Sequence, residues 1–173
     1  MKQQARRVSF DDEPLIVVDE DNNILEYLPK SDVHRGDGIL HRAFSVFLFN
    51  DKGEILLQQR SADKPLWPLF WSNSCCSHPR RGETESGAAK RRIEEELEVR
   101  SELEYVYTFT YHAPFGDLGS EHEICSVFLG RSAGRVVANE TEIADWRWVS
   151  ADELTRALAE EPERFTPWLQ MEW

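Results

Sequence analysis

The sequence predicts a mixed α/β domain, and three observations carry that expectation. Short runs of β-branched and aromatic residues recur along the chain, bounded by turn-forming residues. Two stretches instead repeat their apolar residues every three to four positions, the period of a helix. At 173 residues and 40% apolar content, the chain is long enough to bury one core without staples. Strands interleaved with helices in this way fold as a single α/β domain.

The elements follow in order. Residues 1–13 are polar and read as a flexible tail, leaving 14–173 as the domain. LIVV at 15–18 reads as a short buried strand, DEDNN as a turn and ILEYL as a second strand. AFSVFLF at 43–49 is a stronger strand; NDKG at 50–53 turns the chain into EILLQQR, and the pair is expected to form a hairpin. The clearest helix lies in RRGETESGAAKRRIEEELEV, with Thr84 as N-cap and Glu85 in the first turn. Its apolar stripe is Ala89, Ile93 and Leu97, at i, i+4 and i+8. Strands are expected at EYVYTFTY, ICSVFLG and DWRWV. Ser150 and Glu153 then form a capping box for a last helix carrying Leu154, Ala157 and Leu158. The chain has no internal repeat, low-complexity tract or linker.

Composition narrows the function. A net charge of −12 repels nucleic acid and anionic membranes at long range. It leaves a small anionic ligand possible if the few basic residues are gathered at one site, with or without a metal. The basic N-terminus has no apolar run behind it, so no signal peptide is expected. No apolar stretch approaches the roughly 20 residues that span a bilayer. The three cysteines, Cys75, Cys76 and Cys125, make a poor disulfide framework, since the number is odd and two are adjacent. A reducing, cytoplasmic location is expected.

Several constellations could carry chemistry. In EHEIC, Glu121, Glu123 and Cys125 share one strand face if the strand begins early. Two adjacent carboxylates repel unless a cation or proton lies between them, but from this motif alone a solvated strand end is the favoured reading. His34 and His41 flank RGDGIL without a standard local zinc spacing. NSCCSHP places Cys75 and Cys76 just before His78; it lacks the second ligand pair of a structural zinc site and is open to a nucleophile or an inert buried pair. On the long helix, Glu96 falls only about 20° from Ala89 on the wheel. Arg92 lies one turn earlier on the same edge, and charges there are costly unless paired or coordinating. Glu94 and Glu95 point outward. Lys30, Arg60, Lys64, Arg80, Arg81 and Arg92 suggest either an anion site or ordinary ion pairs with the abundant acids.

Taken in order, these stretches resemble type 1 isopentenyl-diphosphate isomerase, a family with the Nudix fold. The resemblance runs from about Leu15 to Trp168. It rests on HRGDGILHRAFSVFLF, LLQQRSADKPLWPLFWSNSCCSHP, GETESGAAKRRIEEELEV, EHEIC and FTPW. It implies an α/β domain with a Nudix-type mixed β-sheet sandwiched between helices. The helix is similar to a degenerate Nudix box: Glu83, Arg91, Ile93, Glu95, Glu96 and Val99 match. Ser77 replaces the first glycine, Arg92 a glutamate and Glu98 the last glycine. Loss of the glutamate at Arg92 argues against ordinary pyrophosphate hydrolysis.

The resemblance also implies residue roles. His34, His41, His78, Glu121 and Glu123 would hold a divalent metal, Mn²⁺, Mg²⁺ or Zn²⁺. Cys76 would be the catalytic thiol, with Cys75 at a position usually apolar or small. Glu96 would hold a second Mg²⁺ at the substrate diphosphate, contacted by Lys30, Arg60, Lys64 and Arg92. Tyr111 and Trp168 would stand at the hydrocarbon end, and His112 and His122 are read as structural. The implied substrate is a small prenyl diphosphate, turned over by a monomer or weak homodimer that binds neither nucleic acid nor membrane. The reaction would interconvert isopentenyl and dimethylallyl diphosphate through a tertiary carbocation, with Cys76 and Glu123 as the acid–base pair. Trp168 would face the cation, and FTPW is a candidate lid. Two alternatives remain: a Nudix hydrolase of a nucleoside-diphosphate derivative built on Glu83, Glu95 and Glu96, and a non-catalytic Nudix-like binding module.

Overall fold

The computed structural model describes residues 6–173. Its centre is set by the most continuously apolar strand. β3 (His41–Phe49) is buried along almost its whole length, as a strand covered on both faces must be. β1 (Pro14–Val18) and β2 (Ile24–Pro29) form an antiparallel hairpin that leads into α1 (Lys30–Val33), a single helical turn. Next come β4 (Ile55–Arg60), β5 (Trp71–Ser72) and β6 (Cys75–Ser77), then α2 (Glu85–Leu97). β7 (Leu103–Phe115), β8 (Gly119–Arg131) and β9 (Ile143–Val149) follow. The chain closes with α3 (Ala151–Glu160), a 3-10 turn at Pro162–Arg164 and α4 (Pro167–Glu172).

β3 runs parallel to β8, from His41↔Glu123 to Phe49↔Arg131, and antiparallel to β6, with Ser45 opposite Cys76. β8 in turn pairs with β7, and β4 pairs with β5 and β9. All nine strands join one mixed sheet. The expected β3–β4 hairpin is only partly realised: the two strands pair at Phe49↔Ile55 and then separate. Ser74 fills the gap, its hydroxyl accepting from the Leu48 N–H and donating to the Leu56 carbonyl, both at 2.7 Å. One buried side chain thus replaces the missing ladder, which no strand pattern announces.

Helices cover both faces of the sheet. Ala88, Ala89, Ile93 and Leu97 of α2 pack on Phe44, Val46, Leu48, Cys75 and Phe128. On the opposite face Leu154, Phe165 and Leu169 pack on Phe47, Ile55, Leu57 and Val127. The period-2 alternation of β6 therefore separates the adjacent thiols: Cys75 joins the core under α2, while Cys76 packs with Tyr111, Cys125 and Trp168 under α4.

The expected caps are present. Thr84 Oγ1 accepts from Gly87 N at 3.1 Å, and Ser150 Oγ accepts from Glu153 N at 3.1 Å. Glu98, where the Nudix pattern carries its last glycine, sits at φ 53° as the left-handed C-cap of α2. That conformation costs a non-glycine residue about 1 kcal/mol. Two expectations need correction. α3 is not the last helix; Pro167 starts the short α4, whose six residues give too little periodicity to read. The tail expected at 1–13 is anchored by Val8, which is buried, and Ser9, because Arg92 donates to Val8 O at 2.8 Å and Ser9 Oγ at 2.6 Å. Residues 1–5 lie outside the described residues.

Candidate active site

β8 supplies two of the predicted metal ligands by strand alternation, and its parallel partner supplies a third. Glu121 and Glu123 lie on one face, and His41 stands opposite Glu123. His34 caps the C-terminal end of α1 and His78 follows β6. Gly119 lets β8 start this close to α1: a Cβ there would fall 2.4 Å from the His34 carbonyl oxygen. Ser120 N donates to that same oxygen at 2.9 Å. The resulting five ligand atoms all lie within 4.8 Å of one another.

These atoms face one another closely. His34 Nε2 approaches Glu121 Oε2 at 2.9 Å, and His41 Nε2 approaches Glu123 Oε1 at 3.6 Å. Yet His34 Nε2, His41 Nε2 and Glu121 Oε2 are all buried and make no aligned hydrogen bond. Orphaned buried polar atoms of this kind are expensive, and a cation satisfies them together. His41 Nδ1 lies 2.7 Å from the Ile39 carbonyl, which holds the proton there and turns the Nε2 lone pair into the cluster. Burial, reinforced by His41 and His34, pushes His78 well below the usual histidine range, so it offers a neutral imidazole. The donor set fits a divalent cation with mixed nitrogen and oxygen preference.

Next to the cluster lie the groups expected to carry chemistry. Tyr111 donates to Glu123 Oε2 at 2.6 Å, and the same carboxylate meets His78 Nε2 at 3.2 Å. Burial works against ionisation of Glu123, but His41, Glu121 and Tyr111 outweigh it and hold the carboxyl below its ordinary value. Burial pushes the Cys76 thiol up to about 12, with Arg60 partly opposing the shift. Trp168 is buried on α4, with its Nε1 donating to Ser72 Oγ at 2.9 Å.

A basic wall faces these groups. A cavity of about 40 Å³ is lined by Lys30, Arg60, Lys64 and Arg92 as well as by Cys76, His78, Tyr111, Glu121, Glu123 and Trp168. Arg60 is clamped by the carbonyls of Trp67 and Leu66 and lies 5.3 Å from the Trp168 ring. Burial and the neighbouring Lys64 charge lower Lys30 to about 8. Arg92 pairs with Glu142 at 3.1 Å, and Lys64 pairs with the same carboxylate.

The structure thus brings together every residue to which the resemblance gave a role except Glu96. Glu96 does not line the cavity: one oxygen meets Arg92 Nε at 2.8 Å and the other accepts from Gln58 Nε2 at 3.2 Å. Arg80 and Arg81 also lie outside it, the first bonded to Glu13 and the second over Tyr27. Glu95, expected to point outward, is partly exposed and bonded to Arg91 and Arg92. The sequence reading missed Glu142, Ser72 and Ser9. Isolated polar residues before a strand, in a two-residue strand and in an apparent tail carry no local pattern. No helix among the described residues is long and apolar enough to cross a membrane.

Fold and site together define a Nudix-domain protein, and the NUDIX domain family pattern matches residues 39–169. The fold is shared with the crystal structure of DR0079 from Deinococcus radiodurans, with TM-score 0.75, 24% identity, and coverage of 92% of this chain and 96% of that one. A MutT protein from Methanosarcina mazei matches with TM-score 0.63 at 19% identity, over 76% of this chain and 88% of that one. Within that class the sequence is more specific. It is 43% identical to the isopentenyl-diphosphate Delta-isomerase of Serratia proteamaculans, over 91% of this chain and 87% of the relative. The isomerase of Nocardia farcinica is also 43% identical, over 90% of each. The chain belongs to the isopentenyl-diphosphate Delta-isomerase family of Nudix-domain proteins.

Proposed function

We propose that this protein interconverts isopentenyl diphosphate and dimethylallyl diphosphate. The observation that carries the reading is the placement of a neutral thiol, Cys76, and a buried carboxylate, Glu123, on the wall of one cavity that also holds Trp168 and a basic flank. Moving an unactivated double bond by one carbon needs an acid strong enough in context to protonate an alkene and a base to remove the neighbouring proton. Cys76, with its thiol protonated at neutral pH, donates to the terminal carbon. Glu123, held ionised and oriented by Tyr111, takes the proton from the carbon on the other side of the cation. The tertiary carbocation between these steps is stabilised by the indole face of Trp168, worth about 2 kcal/mol when desolvated. The packed α4 excludes water that would convert the cation to an alcohol.

His34, His41, His78, Glu121 and Glu123 would hold one divalent cation, Mn²⁺, Mg²⁺ or Zn²⁺. Bound there, the ion supplies positive charge that fixes Glu123 and relieves the repulsion between the two glutamates. Lys30, Arg60, Lys64 and Arg92 bind the diphosphate, with a Mg²⁺ accompanying it. Glu96 acts in this account through Arg92, which it orients; as a Mg²⁺ ligand it would first have to leave its two partners. Because one chain provides the whole site, a monomer suffices. The free cysteines Cys75, Cys76 and Cys125 agree with a cytoplasmic enzyme.

The hydrolase alternative finds its carboxylates engaged elsewhere: Glu83 is bonded to Arg91 and Arg80, and Glu95 to Arg91 and Arg92. The test is incubation with isopentenyl diphosphate and Mg²⁺ in heavy water. The expected result is deuterium in a dimethylallyl product. Phosphate release from nucleoside diphosphate derivatives, without isomerisation, would overturn the reading.

A further inference from the structure

Ser72 stands at the junction of three elements and belongs to none of the assigned roles. It is fully buried in the two-residue β5, beside Asn73 and Thr166, which are equally buried. Four polar groups surround its hydroxyl oxygen. Trp168 Nε1 lies at 2.9 Å, Asn73 Oδ1 at 2.9 Å, Thr166 Oγ1 at 3.1 Å and Cys76 Sγ at 3.9 Å. A serine has one proton to give and two lone pairs to receive, so the direction of each bond can be worked out.

Asn73 settles it. Both protons of its amide nitrogen are committed, to the carbonyls of Val46 at 3.1 Å and Cys75 at 3.0 Å. Carbonyls only accept, so the amide cannot be reversed and its Oδ1 must face Ser72. The single Ser72 proton therefore goes to Asn73. Toward Trp168, Thr166 and Cys76 the serine oxygen is an acceptor only. The indole N–H, which can only donate, takes one lone pair, and the threonine takes the other at ordinary distance. The thiol, at the long limit of a sulfur contact, stays free to turn toward the cavity.

The backbone reinforces this arrangement. Thr166 N donates to Trp71 O at 2.9 Å, and Trp71 bridges Phe165 in parallel register. The start of α4 is thus tied to β5, four residues before Cys76. The indole ring is packed by Trp67, Tyr111 and Arg60, and its N–H is held by the Ser72 oxygen.

We propose that Ser72 is a positioning residue that fixes the Trp168 indole relative to the Cys76 thiol. The proposal rests on the isomerase reading above and deepens it. A cation forms where the thiol delivers its proton, so an indole face displaced from that point stabilises it less. The diphosphate end is untouched by Ser72, so ground-state binding does not depend on it.

The test measures kcat and KM with isopentenyl diphosphate for wild type, Ser72→Ala, Trp168→Phe and the double variant, with thermal unfolding alongside. The expected result is a kcat roughly 10- to 100-fold lower in Ser72→Ala, with KM within about twofold. In the Trp168→Phe background, which lacks the N–H, the same change should cost less than about threefold. Ser72→Cys, close in size but a poor acceptor, carries the same reading should Ser72→Ala fail to fold. An unchanged kcat, a rise in KM with the fall in kcat, or an equal loss in both backgrounds overturns the proposal while leaving the function intact. A wild-type protein that turns over no isopentenyl diphosphate overturns both.

Discussion

At the histidine end of the cavity, buried polar atoms converge without partners; at the basic end, buried charges already face protein counter-ions. His34 Nε2, His41 Nε2 and Glu121 Oε2 are left unsatisfied, whereas Arg92 meets Glu142 and Glu96, and Lys64 meets Glu142. The difference teaches how an acidic protein accommodates an anionic ligand. At the histidine end a divalent cation would satisfy those orphaned atoms together. At the basic end Glu142 and Glu96 offset Lys64 and Arg92, so a diphosphate must share those two cations with the protein, while Arg60 bonds only to carbonyls. The cavity of about 40 Å³ joins the two ends and is partly open to solvent. α4 and the segment around Ser9 are walls of this cavity that carry site residues without belonging to the central strands.

The sharpest way to break the comparison is at the boundary between the two ends, where the thiol sits. Cys76→Ala should lower turnover by about 10³-fold or more, because it removes the acid assigned to the alkene. Cys75→Ala removes a side chain on the α2 face and should leave activity within about threefold, while lowering stability by about 1 kcal/mol. Steady-state rates and thermal melts of the two variants decide it. A fatal Cys75 change would reverse the assignment of faces.

The next effect belongs to the metal end. Chelator-treated protein should lose turnover and regain it with a divalent cation. Saturation at 100 times the dissociation constant stabilises the fold by about 2.7 kcal/mol, or roughly 5–10 °C in Tm. In His41→Ala that shift should largely vanish. An unchanged melting curve with added Mn²⁺, Mg²⁺ or Zn²⁺ would mean that the converging atoms are satisfied by water alone.

How much of this contrast was legible in the sequence depends on what kind of pattern each residue belongs to. Strand alternation alone put Glu121, Glu123 and Cys125 on one face, and the helical wheel put Arg92 and Glu96 on the edge of a buried stripe; both are so placed. The choice of Cys76 over Cys75 came from resemblance, and its physical reason is β6, too short at Cys75–Ser77 to be read beforehand. The histidines could not be joined by spacing, since His34, His41 and His78 meet only through the pairing of β3 with β8 and β6. Glu142, Ser72 and Ser74 were invisible for a related reason. Each is a lone polar residue whose partner is distant in the chain, and nothing periodic marks a residue that fills a gap between splayed strands. The helix edge demanded a partner for the buried Glu96, and one of its oxygens meets Arg92.

At the basic end, pH should separate binding from stability. Lys30 lines the cavity and is lowered from 10.5 to about 8 by burial and by Lys64. Above about pH 8 its ammonium is lost, so kcat/KM should fall by about tenfold as one charge-assisted contact to the diphosphate disappears. The sign for folding is opposite. Between about 8 and 10.5 the unfolded chain binds more protons than the folded one, so this group's contribution to stability rises with pH. Lys30→Arg, which stays charged, should flatten the alkaline limb. A limb that persists in that variant belongs to another group.

The smallest effect tests the counter-ion itself. Glu142 is buried, pairs with both Lys64 and Arg92, and is held below the ordinary carboxylate range by those charges despite the opposing effect of burial. If it competes with substrate phosphate for the same cations, Glu142→Gln should lower KM by roughly two- to fivefold with kcat unchanged. The same change should destabilise the free protein by about 1–3 kcal/mol, since Arg92 loses a buried partner. A substrate diphosphate replaces that partner, so the stability gained on adding it should be larger in the variant than in wild type. A rise in KM would give Glu142 the other role: it would then hold Lys64 and Arg92 in the geometry that a diphosphate needs, and the basic end would be as preorganised as the metal end.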